Sequence, residues 1–234
     1  MDALYLLLGV WNLAATYRSR AVYWTGRPRP IVPLTPGPAY TLHTPDGKAV
    51  PRAIGYNTSI HKPSKVGGVG SWSSVHKAHK WAFGRIRRNK KPDRISDWFR
   101  RYAKALSEPQ YSSAFLKLWN LMEDLTFVDN GRAAPIVRRA SSLWLDYNTQ
   151  RQILNQLKSA RHSHVHSEIR DEFDRIRLEQ TKHYADVLLL FHLHKGAKYT
   201  DEELIAFLDA PLDREKLHRR LEILRDVNKF RRGK

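Results

Sequence analysis

Residues 115–125 read FLKLWNLMEDL. Phe115, Leu118, Met122 and Leu125 recur at the three-and-four spacing of one helix face, and Tyr111 extends that stripe upstream. The triplet Asp129-Asn130-Gly131 follows as a stop signal. Similar stripes lie on both sides. Val75, Ala78, Ala82 and Ile86 share one face with Trp72, and Ile95, Trp98, Phe99, Tyr102 and Leu106 form another. A weaker helix is expected over 136–145 and another from Thr149, whose hydroxyl would open a capping box with Gln152. Ile169, Phe173, Ile176, Gln180, Tyr184, Val187 and Phe191 predict a long helix ending before Gly196. A second capping box, Thr200 to Glu203, starts a short helix stopped by Pro211, and Leu217, Leu221 and Leu224 mark a last one. Capped amphipathic helices with short connections predict an all-α bundle.

The N-terminal third has a different texture. MDALYLLLGVWNLAATYRSR is apolar, but Asp2 follows Met1 and no basic stretch precedes the run. It is also shorter than the ~20 residues a bilayer span needs. It reads as a buried first helix, residues 1–26, packing on the bundle of a cytoplasmic protein with no membrane partner. Residues 27–70 form a Pro/Gly-rich arm or insertion, partly β or irregular. It holds eight of the chain's 12 prolines, too many for regular helix. Within it, Pro45-Asp46-Gly47 suits the turn of a hairpin. VGGVGS at 66–71 lacks the spacing and trailing lysine of a phosphate-binding loop and reads as a joint. Residues 71–234 make the helical domain.

Charge supplies the first indication of function. The 234 residues carry 41 Lys and Arg against 23 Asp and Glu, a net charge of +18, which attracts polyanions. Eleven of the cations fall between 76 and 104, where only Asp93 and Asp97 oppose them. Lys77, Lys80, Arg85, Arg87, Arg88, Lys90 and Lys91 are candidate RNA-binding residues, with Trp81 and Phe83 interleaved as stacking surfaces. Trp98 and Phe99, on the periodic face, are expected in the core instead. The chain has no cysteine, so a metal site would need His and carboxylate ligands only.

Arg161 is followed by three histidines at alternate positions, in RHSHVH at 161–166. Three readings stay open from the residues alone. His162 and His166, four apart, could chelate a metal ion, although Arg161 beside them repels a cation. The segment could be a solvated, histidine-rich face. It could also be an acid/base site with an anion clamp: imidazole exchanges protons near neutral pH, and guanidinium stays charged and grips phosphate oxygens. Arg161 and His166 are out of phase on an ideal helix by about 140°. A segment spanning a helix start, or a second copy across a twofold axis, would bring them together.

At these residues the chain resembles the HEPN superfamily, specifically the Apea-like HEPN domains of prokaryotic defence and toxin systems. RHSHVH matches the superfamily's signature: arginine, a polar residue, three variable residues, then histidine. FLKLWNLMEDL resembles its upstream helix, with Trp119 and, four residues on, Glu123. The likeness covers about residues 95–230; Ser167 departs from it where a glycine often follows the histidine. It implies a HEPN-like helical bundle that forms a homodimer and acts as an endoribonuclease needing no metal and no cofactor. It assigns Arg161, His162 and His166 to catalysis, with Glu123 supporting Arg161. His166 would move protons at the 2′-hydroxyl or the 5′-oxygen, while Arg161 would hold charge on the phosphorane. The RNA would be tRNA, mRNA or an invader's transcript, and an antitoxin or defence-system subunit would be the protein partner. A non-catalytic HEPN module that binds RNA or scaffolds a complex is the first alternative. A DNA-binding helical protein is the second, and it lacks an evident helix-turn-helix signature.

Overall fold

The computed structural model describes residues 2–18, 39–44, 46–56, 72–128, 133–166 and 173–232, excepting the side chains at 17–18, 39–40, 42, 52–56, 72 and 164–166. Helices dominate: α1 (Asp2–Arg18), α2 (Trp72–Arg87), α3 (Pro92–Leu106), α4 (Tyr111–Leu125), α5 (Ala133–Ser141), α6 (Tyr147–His166), α7 (Asp174–Lys195), α8 (Asp201–Leu208) and α9 (Arg214–Arg232). One antiparallel hairpin, β1 (Ala39–His43) with β2 (Ala49–Tyr56), interrupts them. The protein is an all-α bundle carrying that hairpin. Ala39 faces Tyr56 and His43 faces Ala49 across the ladder, and the turn runs through Gly47 at φ +85°, a left-handed conformation that glycine adopts without steric cost. Asp46 and Gly47 therefore lie in the turn where the sequence placed them, and Pro45 lies outside the described residues. The joint at 66–71, the stop at 129–131, Ser167 and Ile169 lie outside the described residues.

Helix α4 sits at the centre. It packs most extensively on α7 and also touches α3, α5 and α6, while α1 lies along α3 and α2. Phe115, Leu118, Trp119, Leu121, Met122 and Leu125 have no solvent exposure. Side chains of this size each contribute about 2–3 kcal/mol of burial free energy. The opening stripe is thus the core, except Tyr111, which remains 48% exposed. Trp98 and Phe99 are buried as expected, at 2% and 0%. Where α4 ends, Phe127 takes φ +55°, and Arg139 of α5 donates from Nη1 to the Thr126 and Phe127 carbonyls at 2.7 and 3.2 Å. Its other edge grips Asp209 after α8, with Nε and Nη2 each 2.9 Å from a carboxylate oxygen. One guanidinium thereby ties three helix ends together.

Three expected features are met only in part. Helix α5 covers 133–141 rather than 136–145. Helix α6 begins at Tyr147, so Thr149 lies inside its first turn; Gln150 instead bonds Asp146, from its backbone N at 3.2 Å and its Nε2 at 2.9 Å. Along α7 the expected stripe holds only in part: Tyr184 and Phe191 are buried, but Phe173 and Ile176 are about half exposed, and Leu178, Ala185, Leu188 and Leu189 are buried as well. Polar side chains also occupy core positions there. Lys182, 4% exposed, donates to Asp186 Oδ2 at 2.7 Å and to Thr16 Oγ1 of α1 at 2.8 Å. Tyr102 of α3 donates its hydroxyl to the other Asp186 oxygen at 2.5 Å. A pattern read only from apolar residues cannot register a face built partly from a satisfied ion pair. The Thr200–Glu203 capping box forms as expected, with both reciprocal bonds present. Among the described residues, no helix is long and apolar enough to cross a membrane.

Candidate functional site

Helix α4 presents Trp119 and Glu123 one turn apart. The Trp119 ring is fully buried, and its single polar atom, Nε1–H, donates to Glu123 Oε1 at 3.1 Å. That same oxygen lies 3.4 Å from Nη2 of Arg161 on α6. On α6, Leu154 and Leu157 are buried and Arg161 follows at the same helical spacing, so the face that packs α6 onto the bundle also aims the guanidinium at α4. Both charged side chains are largely screened from water, at 27% exposure for Arg161 and 16% for Glu123. The contact is single-pointed and long for a charge-assisted bond, which usually measures about 2.7–2.9 Å. It orients the guanidinium without consuming its fork; the other nitrogens make no bond to a described residue.

His162, the next residue, is exposed. His166 is the last residue of α6, and its side chain lies outside the described residues, as does that of His164. The RHSHVH segment is the last described stretch of α6, not a helix start that would have brought backbone N–H groups to a phosphate. The structure therefore brings together Trp119, Glu123 and Arg161, with His162 exposed at the next position of α6. Among the described residues, no group of three or more His, Asp or Glu side chains converges as metal ligands would.

The basic segment is a second feature. Lys77, Lys80, Arg87, Arg88 and Lys90 are exposed on α2 and the turn after it. Arg85 is half-buried, its guanidinium 6.0 Å from the Trp81 ring centre. Lys91 differs, because Asp201 holds its ammonium at 2.5 Å. Sequence reading missed the far side of this face. His194, at the end of α7, lies over Trp81 with ring centres 4.9 Å apart. Its pKa is pushed below the ordinary 6.5 by burial and by the charges of Arg85 and Lys195. His79 is lowered likewise, by burial, then by His76 and Lys80. Burial is the larger cause for both imidazoles, and the neighbouring charges add to it in the same direction. The only sequence sign of His194 was the HLH at 192–194, which points to nothing by itself.

A cleft of about 220 Å³ lies between the α2–α3 turn and the start of α8, lined by Lys90, Arg94, His192, Tyr199 and Asp201 among others. Arg94 donates from Nη1 and Nη2 to the two Asp201 oxygens at 2.8 and 2.5 Å, while its buried Nε has no hydrogen-bond partner among the described residues. Burial pushes the Asp201 carboxyl up, but the bonds from Arg94 and Lys91 outweigh it and hold it below the usual 3.8. This cleft does not include Arg161. Comparisons with known protein families, with curated proteins and with solved structures gave no match for this chain.

Proposed function

We propose that the protein is a metal-independent endoribonuclease of the HEPN kind, acting in the cytoplasm as a homodimer in a defence or toxin–antitoxin setting. The observation that carries this reading is the carboxylate of Glu123, fixed by the Trp119 indole and turned toward Arg161 across two helices. A solvated, histidine-rich surface has no need of a buried-tryptophan relay to orient its arginine. A phosphate-gripping site does, because a guanidinium held in place before substrate arrives stabilises transition-state charge without reorganising. In the proposed reaction the His166 imidazole takes the 2′-hydroxyl proton and the 2′-oxygen attacks phosphorus. Arg161 and His162 bind the charged oxygens, and the 5′-oxygen leaves with the proton that His166 has taken up. The products are a 2′,3′-cyclic phosphate and a 5′-hydroxyl. The cationic face over α2 and the end of α7 would hold the RNA, tRNA or mRNA, and an antitoxin or defence-complex subunit would keep the enzyme inactive.

The test is cleavage of RNA in EDTA by the wild type, Arg161→Ala and His166→Ala, with the fragment ends identified. Each variant should lose at least 100-fold in rate while melting within a few degrees of wild type, and the fragments should carry cyclic phosphate. Equal cleavage by all three proteins refutes the catalytic assignment. The second reading, a non-catalytic RNA-binding module, is favoured by the exposed cations of α2, which share no packing interface with α6. It predicts no cleavage by any of the three and steeply salt-dependent binding of single-stranded RNA in preference to duplex DNA.

A further inference from the structure

No residue of α9 is buried, and no other described helix packs along it. Its exposed apolar side chains are nonetheless arranged in order. Leu217, Leu221 and Leu224 form one row at helical spacing, and Ile223, Val227 and Phe230 form a second. At about 100° per residue, the two rows together cover roughly half of the helix circumference. Exposures run from 39% at Leu217 to 69% at Phe230. Helices in proteins owe most of their stability to the packing of an amphipathic face, so such a face calls for a surface to cover it.

The charges of α9 say which surface. On the helical projection Lys216 falls between Ile223 and Val227, while Arg220 and Arg231 fall between Val227 and Leu224. The apolar half thus carries three cations and no carboxylate, and none of the three pairs with a described acid. All three carboxylates, Glu215, Glu222 and Asp226, lie within about 40° of one another on the opposite half. There Glu222 is engaged within the helix, by His218 at 3.5 Å and Arg219 at 3.4 Å. A second copy of α9 would meet this face with like charges, in a chain that already carries +18. A bilayer accommodates lysine and arginine at the edges of an apolar arc, where the side chain bends outward to the headgroups; these three stand in its middle. Cations in the middle of an apolar face match carboxylates set in an apolar groove.

We propose that α9 is a docking helix for an acidic protein partner, seated with Leu217, Leu221, Leu224 and Val227 in an apolar groove whose carboxylates meet Lys216, Arg220 and Arg231. This inference stands whether or not the protein cleaves RNA. Calcium-loaded calmodulin, an acidic protein with an apolar groove, is the probe, titrated with the full chain at 150 mM salt. Three variants are compared with wild type: Leu221→Ser/Leu224→Ser, Arg220→Glu/Arg231→Glu, and the polar-face control Arg225→Glu/Lys229→Glu. Vesicles of phosphatidylserine and phosphatidylcholine at 3:7, and sedimentation equilibrium of the chain alone, run in parallel. The expected result is saturable micromolar or tighter binding, weakened at least tenfold by the first two variants and less than twofold by the control. Unchanged melting of the bundle in every variant shows that only the docking face was altered. Equal weakening by the control reduces the contact to bulk charge and overturns the proposal. So do vesicle binding without calmodulin binding, self-association that the Leu221/Leu224 variant abolishes, and no binding at all.

Discussion

The buried Lys182–Asp186 ion pair of α7, bonded to Thr16 of α1 and Tyr102 of α3, allows a quantitative test of what fixes the N-terminal helix to the bundle. Lys182 and Asp186 are 4% and 5% exposed, and the carboxylate is completed by the Tyr102 hydroxyl while the ammonium is completed by Thr16. Replacing Lys182 with Met keeps the length of the side chain but leaves a buried carboxylate with one donor. Breaking a buried pair from one side costs about 3–5 kcal/mol, because the surviving charge loses its counterion and cannot regain water. For a chain of this size that corresponds to a fall in Tm of roughly 10 °C. Tyr102→Phe removes one bond to a charged acceptor and should cost about 1.5–3 kcal/mol. Lys182→Met/Asp186→Asn removes both charges and should be more stable than Lys182→Met alone, giving a coupling of at least about 2 kcal/mol in a double-mutant cycle. Urea denaturation of the wild type, these three variants and Asp186→Asn alone, which closes the cycle, measures each figure. A Lys182→Met cost below about 1 kcal/mol, or two substitutions that simply add, would refute the claim that this pair is an electrostatic unit.

Three further outcomes are expected. Glu123→Gln keeps an acceptor for the Trp119 indole but removes the charge facing Arg161, so RNA cleavage should fall about tenfold in kcat with KM and melting temperature little changed; unaltered kcat removes Glu123 from the site. Gly9→Ala should destabilise by about 2 kcal/mol or more in a thermal melt, since a Cβ there would lie 2.3 Å from the Phe99 carbonyl oxygen, whereas the same change in an ordinary helix interior stabilises by up to ~1 kcal/mol. His192 is driven down to about 4 from 6.5 by burial, with its Nε2–H donating to the Leu125 carbonyl at 2.7 Å. As pH falls through 6.5 the unfolded chain takes up this proton first, so stability should be lost progressively down to about pH 4 and be unaffected by this group above 6.5. His192→Gln, which retains an N–H for the carbonyl, should remove that part of a pH-dependent denaturation series, worth about 3 kcal/mol.

The fold was legible where one physical effect dominates. Helices α3 and α4 bury a single face of large apolar side chains, and spacing alone locates them. Along α7 the helix and its end before Gly196 were legible but its inward face only in part, because Lys182, Asp186 and His192 take core positions where partners on other helices satisfy them. Hydropathy scores each residue against water and is blind to such partners. Reading failed at the start of α6, where Thr149 offered a good local cap but the turn at Asp146 started the helix two residues earlier. The placement of His194 over Trp81 could not have been read at all, since a tertiary contact between two helix ends leaves no periodic trace.

The candidate site shows the same division at atomic scale. Spacing makes Trp119 a core residue, and it is one, but spacing says nothing of its indole N–H. Burial removes that group from water, so it needs an acceptor, and the carboxylate one turn on supplies it. A carboxylate pinned in that way has one oxygen facing α6, and the residue continuing the buried row of Leu154 and Leu157 is an arginine. Each step follows from satisfying the last, so the position of Arg161 is determined by the packing of α4 rather than by its own surface environment. The guanidinium is accordingly turned toward the core beneath it by one contact at 3.4 Å, which nothing in the neighbourhood of residue 161 along the chain would have indicated.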